Sequence, residues 1–242
     1  MALLPELPED YESTRAGLHR LAAHVLGRRR ADVAGRFGLR ATPGGIGTPS
    51  FGSDPEVLRV AGHHLLRETT GEVTRVGTLD LTTASLADAA ALAGVDLGAE
   101  FSVGHDTPAI VAPAVALRLD PAALGALAAW FHFGWLVIDE CVVALGTDAA
   151  PSVLQLWPEH FDLGCDVGVG PIRTNLGASG GDAFLAEPYL YVGPWGPMRP
   201  GDPEYWNVSF GAMLGYSALR AAADPVAAAG DFLRRGIALL RS

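Results

Sequence analysis

Residues 120–140 read DPAALGALAAWFHFGWLVIDE, and this segment sets the architecture that the rest of the chain must follow. An aspartate followed by a proline is a typical helix start, because the carboxylate caps free amides and proline fits the first helical position. From Ala122 to Ile138 no residue is formally charged. A helix that is apolar on nearly every side is typical of a protein core. We therefore predict a buried central helix from Pro121 to about Ala144.

The same segment does not fit a membrane span. A span requires about 20 apolar residues, whereas the uncharged run is interrupted by His132 and closed by Asp139 and Glu140. We therefore expect a core helix of a soluble protein and no membrane partner.

The chain before the central helix shows one helix and two strands in its pattern of apolar residues. An apolar stripe predicts an amphipathic helix over residues 11–36 that leaves Arg28 off the stripe. Alternation of apolar and polar residues predicts a strand over 56–68 and a hairpin partner over 73–81. Residues 37–52 are rich in glycine and proline, which oppose regular structure.

The chain after the central helix contains more strands and a last helix. Strands are predicted over 153–169 with a break at Pro158, over 173–176 and over 188–192. The pair Asp224-Pro225 repeats the helix start and predicts a C-terminal helix over about 225–240. Strand clusters with short connections, separated by helices, predict an α+β fold whose sheet is mainly antiparallel and packed with helices.

The composition favours a large core. The chain has 242 residues, of which 49% are hydrophobic and 18% are charged. This is enough apolar material for one core. We predict a single compact domain over 1–242, with two fused halves, about 1–146 and 151–242, as the alternative.

The charged residues exclude several chemistries. All 17 basic residues are arginines, and the chain has no lysine. Catalysis through a lysine Schiff base, a P-loop lysine or a kinase-type lysine is therefore excluded. The 27 acidic residues leave a net charge of −10, which is the wrong sign for binding nucleic acid through its phosphates. Anions must be contacted by arginine or by backbone amides.

Two features predict the compartment. The first ten residues carry acids and prolines where a secretory signal has a basic start and an apolar run, so we expect a cytoplasmic protein. Cys141 and Cys165 lie in apolar surroundings without CxxC spacing, which predicts buried, reduced thiols.

Residues 177–181 read GASGG and match the G-x-S-x-G pattern of a serine nucleophile elbow. The elbow needs a following helix and then an acid and a histidine. Here Pro188 comes too early, and the last histidine of the chain is His160, so the order of residues excludes an α/β-hydrolase triad. We predict instead a glycine-rich turn in which Ser179 and Asp182 bond the backbone.

The segment 157–195 carries the densest set of functional side chains. Strand periodicity places a histidine and two aspartates on one face of an earlier strand, and a glutamate and two tyrosines on one face of a later strand. If the two strands pair, these groups suit ligand binding, an oxygen-rich metal site or acid–base chemistry. A half-buried strand also carries polar residues on its solvent face without any function. The candidate ligand-binding residues are Trp157, Glu159, His160, Asp162, Asn175, Ser179, Asp182, Glu187, Tyr189 and Tyr191.

These residues predict a protein that binds a small molecule in a cleft walled by residues 157–195. One alternative is a hydrolase in which His160 acts with Asp162 or Glu187, alone or around a divalent metal. Another is a homodimeric interaction scaffold in which aromatic residues of the segment are buried between copies. We predict no cofactor, and the divalent metal belongs only to the hydrolase alternative.

Three motifs carry a family resemblance. The segments Leu154–Asp162, Gly177–Asp182 and Glu187–Val192, which contain LWPEHFD, GASGGD and EPYLYV, resemble a conserved hypothetical family of actinobacteria. Residues 40–52 and 78–94 are similar to the N-terminal half of the same proteins. The resemblance implies an actinobacterial cytoplasmic protein and supplies no catalytic residues.

Overall fold

The computed structural model describes residues 3–71, 73–169 and 172–241. These residues form the predicted α+β fold, with antiparallel sheets and packed helices. The chain divides into two compact units. The first comprises Met1–Phe131 and Leu156–Phe161, and the second comprises His132–Gln155 and Asp162–Ser242.

The first unit contains a five-stranded sheet whose strands pair in sequence order. The strands are β1 (Arg40–Thr42), β2 (Gly45–Gly47), β3 (Glu56–Ala61), β4 (His64–Thr69) and β5 (Arg75–Asp80). Its helices are α1 (Tyr11–Leu21), α2 (Arg28–Ala34) and α3 (Leu86–Ala93), with a π-helical segment, Ala22–Gly27, between α1 and α2. A Cβ on Gly77 of β5 would lie 2.7 Å from Leu92, so α3 packs closely on this strand.

The π-helical segment explains why the prediction for Arg28 is wrong. Its six residues are all buried, and a π turn changes the helical period, which alters which side chains face inward after it. Arg28 is accordingly only 4% exposed. Its guanidinium donates to the carbonyl of Ala99 at 3.0 Å and lies 5.0 Å from the centre of the Phe101 ring.

Two further predictions in this unit are wrong: that residues 37–52 lack regular structure, and that residues 56–68 form one strand. Residues 37–52 contain β1 and β2, because glycine allows close approach to β3: a Cβ on Gly45 would lie 2.2 Å from the carbonyl oxygen of Val60. The single strand predicted over 56–68 is the hairpin of β3 and β4. It turns at Gly62, whose φ of 59° lies in the left-handed region that glycine adopts readily.

The central helix is confirmed as α4 (Pro121–Leu145), which is divided between the units at Phe131. The Asp120 carboxylate accepts the Ala123 amide at 2.8 Å, and Trp130 and Phe133 are fully buried. By length and composition α4 could cross a membrane, but 56% of its most apolar window is buried inside the protein. This burial is typical of a core helix of a soluble protein.

The second unit contains four strands that form an antiparallel meander. Short strand β6 (Gln155–Trp157) precedes them, and the meander consists of β7 (Asp162–Val169), β8 (Ile172–Ser179), β9 (Tyr189–Pro194) and β10 (Ala212–Gly215). The helices that follow are α5 (Tyr216–Ala221) and α6 (Pro225–Leu240). The C-terminal helix is therefore confirmed, and the Asp224 carboxylate caps it by accepting two backbone amides at 3.0 Å.

The two faces of this meander differ in chemistry. One face is apolar and packs against helices: a Cβ on Gly134 of α4 would lie 2.6 Å from Ala178, and one on Gly236 of α6 would lie 3.1 Å from Val192. The alternate residues of β7, β8 and β9 point to the opposite face. That opposite face carries the polar side chains described below.

Candidate functional site

The register of three strands brings predicted site residues together. Asp162 of β7 pairs with Ser179 of β8, which pairs with Tyr189 of β9. Residues two apart along a strand share a face, so Tyr191 lies on the same face as Tyr189. The strands of Asp162 and Tyr191 do not pair directly, because β8 lies between them. We call Asp162, Ser179, Asp182, Tyr189 and Tyr191 the tyrosine face.

Tyr191 reaches across β8 to Asp162. The ring fits over Gly177, because a Cβ there would lie 2.1 Å from the Tyr191 Cζ. Its hydroxyl donates to Oδ2 of Asp162, a carboxylate whose residue is 8% exposed. Burial raises the pKa of Tyr191 well above its usual value, and the neighbouring Asp162 charge raises it further. The phenol is therefore a neutral hydrogen-bond donor at neutral pH.

Tyr189 and Asp182 form a second phenol–carboxylate pair. The Tyr189 hydroxyl donates to Oδ2 of Asp182 at 2.6 Å. The other oxygen, Oδ1, accepts the backbone amides of Phe184 at 2.8 Å and Leu185 at 3.0 Å. Burial raises the pKa of Tyr189, and its hydrogen bond to Asp182 adds to the shift. The carboxylate is thus held in one orientation by three donors.

The GASGG motif is partly a strand. Gly177 and Ser179 belong to β8, so the turn predicted over 177–181 is wrong for these residues. The predicted backbone bonds are present: the Ser179 hydroxyl accepts the Gly181 amide at 3.1 Å, and Asp182 accepts two amides as described above. Ser179 is 3% exposed. This motif therefore builds the tyrosine face and its turn.

Two phenylalanines that are not among the predicted ligand-binding residues lie beside the tyrosine face. The Phe210 ring lies 6.4 Å from those of both Tyr189 and Tyr191, and 5.8 Å from the Phe184 ring. Phe184 is 60% exposed and Phe210 is 38% exposed. Nothing in their local sequence distinguishes them, since they reach the tyrosines only through the folded chain.

Asn175 and Glu187 make their contacts elsewhere in the second unit. Asn175 is exposed and accepts the indole N–H of Trp195 at 2.8 Å. The Glu187 carboxylate accepts the hydroxyl and the backbone amide of Ser217, at the start of α5. A Cβ on Gly215 would lie 2.6 Å from the same carboxylate. Glu187 therefore caps a helix.

The remaining predicted residues, Trp157, Glu159 and His160, belong to the first unit. Trp157 ends β6, and its ring lies 6.1 Å from that of Phe37. His160 was predicted on a strand but lies in the turn before β7. The chain turns there because Pro158 breaks the strand pattern.

His160 is flanked by two carboxylates. Its Nδ1 lies 3.1 Å from Asp106 and its Nε2 lies 2.9 Å from Glu159. An imidazole donates from both nitrogens only when it is protonated. Asp106 was not predicted, because it lies far from His160 in the sequence.

These contacts bear on the hydrolase alternative. Asp162 and Glu187 bond Tyr191 and Ser217, whereas both His160 nitrogens face carboxylates. Among the described residues, no hydroxyl or thiol group forms a hydrogen bond with the His160 imidazole. Within residues 3–71, 73–169 and 172–241, no group of three or more histidine, cysteine or acidic side chains is placed to hold a metal ion.

Comparisons with known proteins add no family assignment. No protein-family model, no curated protein and no solved structure matches the chain. The actinobacterial resemblance therefore stays a prediction.

Proposed function

We propose that the protein binds a small ligand at the tyrosine face. The observation that supports this is the presence of two part-buried phenol–carboxylate pairs, Tyr191–Asp162 and Tyr189–Asp182, whose tyrosines share one face of β9. This narrows the predicted 157–195 cleft to residues of the second unit. Trp157, Glu159 and His160 are left out of the proposed site.

These pairs lie outside the apolar core of the meander. Removing a carboxylate from water costs free energy that its partners only partly offset. The meander already obtains its core from the opposite, apolar face, with residues such as Leu163, Leu176 and Leu190 fully buried. Polar groups that are costly to bury and unnecessary for the core are typical of binding sites.

The groups present indicate the class of ligand. Carboxylates accept hydrogen bonds, so the ligand carries donors such as hydroxyl or ammonium groups. The exposed rings of Phe184 and Phe210 provide apolar contact at the rim. A small amine or polyol with an apolar edge has this chemistry.

Binding is favoured over acid–base catalysis by the state of the phenols. Burial raises the pKa of both Tyr189 and Tyr191, so neither serves as a general base at neutral pH. They act as fixed donors that hold the carboxylates. The hydrolase alternative has no comparable support and stays a prediction.

Several broader features belong to the same proposal. We propose a cytoplasmic location, and the net charge of −10 disfavours nucleic acid as a partner. A homodimer stays a prediction. No cofactor is assigned to the tyrosine face.

Saturation-transfer NMR with four probes tests the proposal: myo-inositol, glucose, putrescine and tyramine. At least one probe is expected to receive saturation from the wild-type protein, and the amine and polyol arms identify the ligand class. Asp182→Asn keeps an oxygen for the Phe184 and Leu185 amides but loses the charge, so it should weaken binding about tenfold.

Asp231→Asn is the matched control, because it removes an exposed carboxylate of the same unit. Its binding should equal that of the wild type. Four silent probes, or equal affinity in Asp182→Asn and the wild type, would contradict the proposal.

A further inference from the structure

A polar cavity lies in the first unit and shares no residue with the tyrosine face. Its volume is about 560 Å³, which is within the range of small-molecule sites, ~300–1,000 Å³. Three arginines line it, one each from α2, β4 and β5: Arg29, Arg67 and Arg75. We call this cavity the arginine cleft.

A buried glutamate fixes two of the guanidinium groups. Arg29 binds Glu56 through two hydrogen bonds of 2.9 Å, and Arg67 adds a third at 3.0 Å. Glu56 is 5% exposed. Its burial favours the neutral acid, but the two arginines outweigh this effect and lower the pKa of the Glu56 carboxyl. The arginines are therefore held in place before any ligand arrives.

The cleft keeps unused donors and positive charge. Within the described residues, Arg75 makes no ion pair and no hydrogen bond through its guanidinium, and the Nε of Arg67 is buried without a partner. Among the described residues, the carboxylates that line the cleft are those of Asp54 and Glu56. The described lining residues thus carry three guanidinium groups and two carboxylates, in a chain whose net charge is −10.

We infer that the arginine cleft binds the phosphate or carboxylate groups of a small organic anion. A planar guanidinium matches either oxyanion with two parallel hydrogen bonds. Ser53, Thr69 and Thr70, whose side chains each carry a hydroxyl donor, also line the cavity. This site is independent of the proposed function, because it shares no residue with the tyrosine face.

Isothermal titration calorimetry with pyrophosphate and with citrate, each at constant ionic strength, tests the inference and separates the two oxyanion sources. The wild-type protein should bind at least one probe with a Kd below about 1 mM. Arg75→Gln should weaken that binding about tenfold, because one charge-assisted contact is lost. Arg75→Gln removes no ion pair or guanidinium hydrogen bond with a described residue, so circular dichroism should show an unchanged fold.

Two further variants complete the test. Arg36→Gln removes an exposed arginine of the same unit that does not line the cleft, and it should bind as the wild type does. Glu56→Gln removes one negative charge from the lining and keeps an amide oxygen that can accept hydrogen bonds from Arg29 and Arg67, so a folded Glu56→Gln protein should bind the anionic probe more tightly. No heat from either probe with the wild type, or equal losses in Arg75→Gln and Arg36→Gln, would overturn the inference.

Discussion

The position of the Tyr191 side chain depends on residues of two other strands, β8 and β7. Its ring occupies the space that Gly177 leaves on β8, and its hydroxyl reaches the Asp162 carboxylate on β7. The hydrogen bond joins a neutral donor to a charged acceptor, and such bonds are stronger than neutral ones. Both partners therefore contribute to stability as well as to the proposed site.

Removing the Tyr191 hydroxyl should destabilise the protein measurably. We expect Tyr191→Phe to lower the free energy of unfolding by about 2 kcal/mol, because a buried carboxylate loses a donor. Tyr205→Phe is the matched control, since its hydroxyl donates to the neutral carbonyl of Phe232 at 2.9 Å and should cost only about 1 kcal/mol. Urea unfolding measures both, and equal losses would argue against a charged bond at Tyr191.

His19 is a residue whose burial makes stability depend on pH. Burial lowers the pKa of His19 from 6.5 to about 4, against the opposing effect of the Glu159 and Pro158 carbonyls. Its Nε2 lies 3.0 Å from the Pro158 oxygen and 2.9 Å from the Glu159 oxygen. The ring also stacks on Phe161 at 5.1 Å. All these contacts lie within the first unit.

The sign of the pH effect follows from proton uptake. As pH falls from 6.5 to 4, the unfolded chain protonates His19 before the folded chain does, so the free energy of unfolding should fall across this window. The contribution is about 3 kcal/mol at most. Urea unfolding at pH 7, 5.5 and 4.5 should show a shallower decline in His19→Gln than in the wild type. Identical declines would show that burial of His19 does not act on stability.

At the scale of the elements, local pattern predicted the helices better than the strands. The Asp-Pro starts predicted α4 and α6, because a cap and a first-turn proline act within a few residues. The short strands β1 and β2 were missed, since the glycines of β2 allow close packing against β3, which no local pattern records. Tyr189 and Tyr191 of β9 were correctly placed on one face, because side chains two residues apart along a strand point to the same side.

The glycine of β8 gives a direct test of how the tyrosine face is packed. Gly177→Ala places a Cβ 2.1 Å from the Tyr191 ring, so the ring must move and the bond to Asp162 should be lost. We expect a destabilisation of about 2–3 kcal/mol. In Gly125→Ala of α4, nothing lies within 4 Å of the new Cβ, and helix propensity should stabilise the protein by up to about 1 kcal/mol.

Thermal unfolding distinguishes the two alanine variants by the sign of the change in Tm. A Gly177→Ala protein as stable as the wild type would mean that the Tyr191 ring is not confined by β8.

At the scale of the whole molecule, the two proposed binding sites are the part that the sequence could not supply. Asp162, Tyr189 and Tyr191 are among the predicted site residues, but the sequence does not show that the strand predicted over 173–176 lies between their strands, because strand order depends on the entire fold. The arginine cleft joins α2, β3, β4 and β5, and no single segment shows it. Side-chain pairs such as Arg29 with Glu56 connect residues that are distant in sequence, and periodicity carries no information about them.

Both thiols were predicted to be buried and reduced, and the structure confirms two buried, free cysteines. Burial raises the pKa of Cys165 to about 12, with a further contribution from the Asp166 charge, and burial also raises the pKa of Cys141. Thiolates are the reactive form, so the native protein should react slowly with Ellman's reagent at pH 8. In guanidinium chloride both thiols should react at once, and rapid reaction of either in the native protein would contradict their burial.

The π-helical segment Ala22–Gly27 has a consequence for the arginine cleft. An α-helix advances about 100° per residue, so one residue more or less in this segment would rotate everything after it by that angle. Arg28 and Arg29 follow the segment directly. Their contacts with Ala99 and Glu56 require the present direction of these side chains around the helix axis. A one-residue deletion here would leave the composition of the helix almost unchanged while turning Arg29 away from the cleft. The length of this segment, as much as the identity of its residues, determines the charge of the cleft.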